Sequence, residues 1–138
     1  MLLSARNQIP GTIVDVQEGA VNAIVKLDAG QFTVSGTISM NAVKELGLVP
    51  GKKAIAVIKA TDVMVGLGTF RLSARNQFPG TVVKVQEGAV NAIVSLDVGG
   101  TIFSATISMN AVKELGLVPG AAATAVIKAT SVMFGVED

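Results

Sequence analysis

The sequence predicts an all-β protein built from two tandem OB-like Greek-key barrels, each of five strands with one short helix. Three observations carry this. An ungapped shift of 69 residues lays 4–66 on 73–135 with about three quarters of the paired positions identical, so one small unit is present twice. Each copy contains short runs rich in Val, Ile and Thr, separated by Gly, Asn and Asp turn signals. Each copy also holds a single short run of helix formers, NAVKEL, between its third and fourth strand-like runs. The expected domains are 1–67 and 68–138.

In the first copy, residues 11–16 (GTIVDV) are β-branched and weakly alternating, which predicts a strand, and QEGA at 17–20 supplies a turn around Gly19. A second strand is expected at 21–27, a turn at 28–30 and a third strand at 32–39. The helix over 41–46 has Ser39 or Asn41 as cap and Gly47 as stop signal. After the turn LVPG at 48–51, strands are expected at 53–60 and 63–66. The second copy repeats the plan from Gly80 to Gly135, and only residues 67–71 fall outside the repeat.

Units of this size bury little surface alone. Half of the 138 residues are hydrophobic, with a mean hydropathy of +0.60, yet only five are aromatic, all Phe. Burial against other copies of the chain is the expected outlet, hence a homo-oligomer. Eleven basic residues oppose ten acidic ones for a net charge of +1, in no long run. No basic face for nucleic acid results, and the stacking residues Tyr and Trp are absent. The chain has neither Cys nor His, which removes disulfides, thiol chemistry and imidazole catalysis, and leaves no free-cation metal site of the usual kind. No enzymic function or catalytic cofactor is expected. The start MLLSARNQ lacks the apolar core of a signal peptide, and no run is long enough to span a membrane, so a cytoplasmic location without membrane partners is the expectation.

Three pairs of polar residues have strand spacing, i and i+2, which would place both side chains on one face. They are Ser4 with Arg6, Thr37 with Ser39, and Lys59 with Thr61; the second copy supplies Ser73 with Arg75, Thr106 with Ser108, and Lys128 with Thr130. All of these groups donate hydrogen bonds, and no carboxylate lies within the three segments. Donors and positive charge without acid groups suit a small oxyanion. The bland alternative makes Lys59 a solvent-facing edge residue, Thr61 a turn residue and Ser4 a cap. Lys52 and Lys53 become Ala121 and Ala122 in the second copy, which points either to a surface covered in one copy or to drift on an exposed turn.

The strings SARNQxPGT, QEGAVNA, TISMNAVKELGLVPG and AVIKATxVMxG, at this spacing, resemble the molybdate-binding Mop domain, and their duplication resembles the tandem molbindins. The resemblance covers 4–135. It implies a trimer of two-repeat chains holding molybdate or tungstate at interfaces between barrels. The oxyanion site it implies uses Ser4, Arg6, Ser39, Lys59, Ala60 and Thr61, with Ser73, Arg75, Ser108, Lys128, Ala129 and Thr130 from the second copy. It further implies axial oxyanion sites, placed here on the turns Gly19, Ala20, Val21, Asn22 and Gly88, Ala89, Val90, Asn91. Thr61 and Thr130 stand where Ser is common, keeping the hydroxyl. The copies disagree before the third strand, DAGQFTVSG against DVGGTIFSA, which questions whether both build equivalent sites.

The function expected is storage and homeostasis of the oxyanion. The alternative is a molybdate-sensing regulatory or effector module acting on another protein.

Overall fold

A computed structural model describes residues 2–68 and 70–137. The first copy forms β1 (Asn7–Glu18), β2 (Asn22–Asp28), β3 (Thr33–Ser39), α1 (Met40–Leu46), β4 (Lys53–Ile58) and, after a 3₁₀ turn at Ala60–Asp62, β5 (Met64–Gly66). The second copy follows with β6 (Asn76–Glu87), β7 (Asn91–Val98), β8 (Thr101–Ser108), α2 (Met109–Leu115), β9 (Ala122–Ile127), a 3₁₀ turn at Ala129–Ser131 and β10 (Met133–Gly135). The all-β class with two five-stranded sheets and two short helices is as expected.

Local chemistry explains the elements. Alternation along β2 buries Ala23, Val25 and Leu27 and leaves the residues between them partly exposed. The Ser39 side chain accepts from Ala42 N at 3.0 Å to start α1, and Gly47 ends it in the left-handed region at φ 65°. Ser108 and Gly116 do the same for α2. A bulge between Ile13 and Asp15 pushes Val14 out of register with β2, and one between Val82 and Lys84 does so for Val83; both valines are exposed.

The differing loops have a simple outcome. In the second copy Gly99 and Gly100 both take positive φ and close a two-residue hairpin with Val98 opposite Thr101. In the first copy the turn is longer, with Ala29 N donating to Phe32 O at 3.0 Å and Asp28 Oδ1 accepting from Gly30 N at 2.8 Å.

Two expected strands differ from the observed ones by more than a single residue. β1 starts at Asn7 rather than Gly11, because 7–10 pair with 55–58 of β4 and gain ladder bonds that local composition does not reveal. β4 stops at Ile58 rather than Ala60, where the chain turns into the 3₁₀ segment.

The sheets do not follow the repeat boundaries. One has the order β10-β4-β1-β2-β3 and the other β5-β9-β6-β7-β8. Each repeat therefore gives its last strand to the sheet of the other. The compact units accordingly differ from the expected division at 67/68: unit 1 takes residues up to Ile58 together with those from Lys128 onward, and unit 2 is Lys59–Ile127. Ile13, Val25, Leu27, Val34 and Leu48 are fully buried in unit 1. Val82, Val94, Leu96, Phe103 and Leu117 fill the same role in unit 2, with Phe103 packed at 5.4 Å from the ring of Phe78.

Candidate oxyanion site

The SARNQ string divides into presenters and braces. Asn7 is buried and donates through Nδ2 to Ile58 O at 3.2 Å, which fixes the start of β1 against the end of β4. Gln8 reaches back to the carbonyls of Ala5, at 2.9 Å, and Leu3, at 3.2 Å. These bonds hold the segment that carries Ser4 and Arg6, both exposed. Asn76 and Gln77 repeat the arrangement on Ile127, Ala74 and Leu72, ahead of exposed Ser73 and Arg75. Sequence reasoning singled out the serine and arginine and missed the amides as positioners; their retention in both copies was the available signal.

The spacing argument holds for one pair only. Thr37 and Ser39 do lie on β3, and Thr106 and Ser108 on β8. Ser4 and Arg6 precede β1 in irregular chain. Lys59 and Thr61 flank the entry into the 3₁₀ turn, so no strand face joins them. The turn itself provides another arrangement. Lys59 and Thr61 are exposed on either side of Ala60, whose burial at 8% exposure anchors the turn on unit 2. Asp62 N donates to Lys59 O at 2.9 Å and Val63 N to Ala60 O at 3.3 Å, so the N–H groups of Ala60 and Thr61 are not the ones that close the turn. Lys128, Ala129 and Thr130 are disposed the same way, with Ser131 N on Lys128 O at 3.0 Å.

Strand exchange changes which residues come together. The 3₁₀ turn Ala60–Asp62 packs on β8, the strand ending at Ser108, and the turn Ala129–Ser131 packs on β3, the strand ending at Ser39. Unit 1 thus carries Ser4, Arg6 and Ser39 with Lys128, Ala129 and Thr130. Unit 2 carries Ser73, Arg75 and Ser108 with Lys59, Ala60 and Thr61. The exchange regroups the turns with the serine-bearing strands only: Asn7 pairs with Ile58 and Asn76 with Ile127, so Lys59 still follows directly on the partner of the first SARN segment and Lys128 on that of the second.

Ser39 and Ser108 already cap helices through their hydroxyl oxygens, which leaves each hydroxyl hydrogen to act as a donor. Among the described residues, no three Asp or Glu converge to hold a metal cation. No helix among them is long and apolar enough to cross a membrane.

The TOBE domain family matches residues 3–65 and 72–134. The chain belongs to this family. Its two TOBE copies are 40% identical over 141 residues to a molybdenum transport protein, ModE, of Herbaspirillum seropedicae, covering 99% of this chain and 52% of that one. A probable molybdenum-pterin-binding protein of Haemophilus influenzae is 57% identical over 68 residues, covering 49% of this chain and 99% of its own length. The chain spans about half the length of ModE and of several other relatives it matches. Among solved structures, the cytoplasmic molybdate-binding protein ModG with molybdate bound superposes with a TM-score of 0.96 at 43% identity, covering 99% of this chain and all of that one.

The two TOBE copies are not electrostatically equal. The 3₁₀ turn beside Lys59 ends in Asp62, whereas the one beside Lys128 ends in Ser131. The turns named as axial candidates are tight hairpins: Gly19 N donates to Asn22 O at 2.9 Å, and Val21 O accepts from Met40 N at 2.8 Å. Val21 and Val90 at their tips are each 74% exposed. Lys52 and Lys53 lie elsewhere, lining a cleft of about 660 Å³ in unit 1 with Gly11, Thr12 and Glu137. Thr12 pairs with Lys53 at one end of the β1–β4 ladder and Asn7 with Ile58 at the other, so this cleft is remote from the SARN segment. Its volume also far exceeds what a four-oxygen anion fills.

Proposed function

We infer that this TOBE pair binds molybdate or tungstate reversibly, as a cytoplasmic store that buffers the anion. The observation that carries the reading is the Lys-Ala-Thr turn of each unit. It presents a cation, a hydroxyl and backbone N–H groups around a buried alanine, next to the strand that ends in Ser108 or Ser39. Close similarity to ModG over the whole chain supports molybdate as the anion.

Molybdate is a tetrahedral dianion at neutral pH, and hydrogen bonds from hydroxyl and N–H donors can surround its oxygens while Lys and Arg offset its charge. Phosphate at that pH still bears a proton for which an all-donor site offers no acceptor. Sulfate has the same charge and shape, so discrimination against it rests on cavity size.

Ser4, Arg6, Ser39, Lys59 and Thr61 and their counterparts are all exposed on the single chain. Exposed donors compete poorly with water for a dianion. Closure by another copy of the chain is therefore part of the reading, with sites at interfaces between barrels of a homotrimer. Exposed Val21 and Val90 at the axial turns are suited to such packing.

Calorimetric titration of the oligomer with molybdate, tungstate, sulfate and phosphate tests the function: saturable heat is expected with the first two and little with the others. Absence of saturable heat with molybdate and tungstate would refute it. Asp62→Ser tests the placement. Removing a negative charge next to the Lys59 turn relieves repulsion of about 1 kcal/mol, so affinity at half of the sites should rise about fivefold. An unchanged isotherm would place the anion away from this turn.

A further inference from the structure

Every strand pairing in the exchanged arrangement has an equivalent in an unexchanged one, because the two KATxVMxG segments are nearly the same. Something other than backbone pairing must select between them. On β3 of unit 1, a Cβ built on Gly36 would meet Phe134 of β10, at 2.5 Å from Cε2 and 2.9 Å from Cζ, and Val132 Cγ1 at 3.1 Å. The phenyl ring occupies the space that any side chain at 36 would need, and it is buried there at 9% exposure. The equivalent positions in unit 2 are Ala105, fully buried on β8, and Val65 on β5, which packs against the core of that unit. Small thus meets large in unit 1 and medium meets medium in unit 2. Without exchange, Gly36 would face Val65 and leave a void, while Ala105 would face Phe134 and clash.

We propose that Gly36 with Phe134, and Ala105 with Val65, form a size key that assigns each lysine-bearing turn to its unit. The key sends Lys128-Ala129-Thr130 to β3 and Lys59-Ala60-Thr61 to β8. These four are positioning residues: they set which lysine-bearing turn packs beside the strand ending in Ser39 and which beside the strand ending in Ser108, and so which of those serines has Asp62 in the neighbouring turn. The role in site composition rests on the oxyanion reading; the exchange itself does not.

The chain has no cysteine, so introduced pairs report connectivity cleanly. Met133 pairs with Val57 across β10 and β4, a spacing a disulfide can bridge. In the otherwise native chain, V57C/M133C is expected to close within one chain on mild oxidation, and V57C/M64C is not. Transposing only the strand residues, V65F/F134V, matches the unexchanged pairing, Gly36 with Phe and Ala105 with Val. The ratio of the two closures should then fall at least tenfold. Adding G36A and A105G to that variant restores the match to exchange, and V57C/M133C should again dominate. Undiminished V57C/M133C closure in V65F/F134V would overturn the key. If V65F/F134V fails to fold, recovery of folding and of V57C/M133C closure in the fourfold variant supports it, and failure of both variants overturns it. The disulfide readout needs no anion, so loss of oxyanion binding in calorimetry would refute the functional reading and leave the key standing.

Discussion

Replacing both Lys59 and Lys128 by alanine is expected to abolish measurable molybdate binding at micromolar concentrations while leaving the fold intact. Both side chains are exposed, so neither contributes to a core and neither leaves a buried partner unsatisfied. A hydrogen bond from a charged donor contributes about 1.5–3 kcal/mol, and the lysine is the only cation of its turn. Each site should therefore lose roughly tenfold to more than a hundredfold in affinity. The single variants distinguish the sites: Lys59→Ala and Lys128→Ala should each remove about half of the capacity. Calorimetric stoichiometry checks this, with circular dichroism as the folding control. Unchanged capacity in the double variant would reduce the Lys-Ala-Thr turn to a structural element.

The second large effect concerns stability. Gly11→Ala is expected to destabilise unit 1 by about 3 kcal/mol, because the added methyl would overlap the carbonyl oxygen of Asp28 and the Cδ2 of Leu27. Leu27 is fully buried, and Asp28 closes the β1–β2 ladder opposite Thr12, so neither can retreat without loss of register or packing. Gly80→Ala meets Asp97 O and the side chain of Val98 in unit 2 and should behave alike. Urea unfolding measures the change; with slopes of about 1–3 kcal/mol/M the midpoint should move by one molar or more. Gly11 is not among the glycines with positive φ, so backbone freedom alone would make alanine neutral or slightly stabilising there, and a cost of about 1 kcal/mol or less would refute the close approach as the reason for glycine.

Much of the candidate site was legible because both copies keep the same hydroxyl and cationic residues in three short strings. The argument that joined them was only partly sound. Strand spacing holds for Thr37 with Ser39, whereas Lys59 and Thr61 are placed by a 3₁₀ turn whose anchor is the small buried Ala60. Ser4 and Arg6 owe their placement to Gln8 and Asn7, whose bonds run to carbonyls that no local pattern identifies.

The amino-acid sequence by itself determined the duplication, the all-β class, the order of elements, the helix stop at Gly47 and the chemical character of the donors, and narrowed the first helix cap to Ser39 or Asn41. These are local properties: β-branched runs, turn residues and caps act within a few positions along the chain. Tertiary structure alone decided where the repeats are cut into compact units, and hence which lysine-bearing turn packs beside which serine-bearing strand. The physical reason is degeneracy. The two C-terminal segments offer nearly identical backbone and side chains to either sheet, so choice between them rests on the fit of Phe134 over Gly36, a contact between residues almost a hundred positions apart.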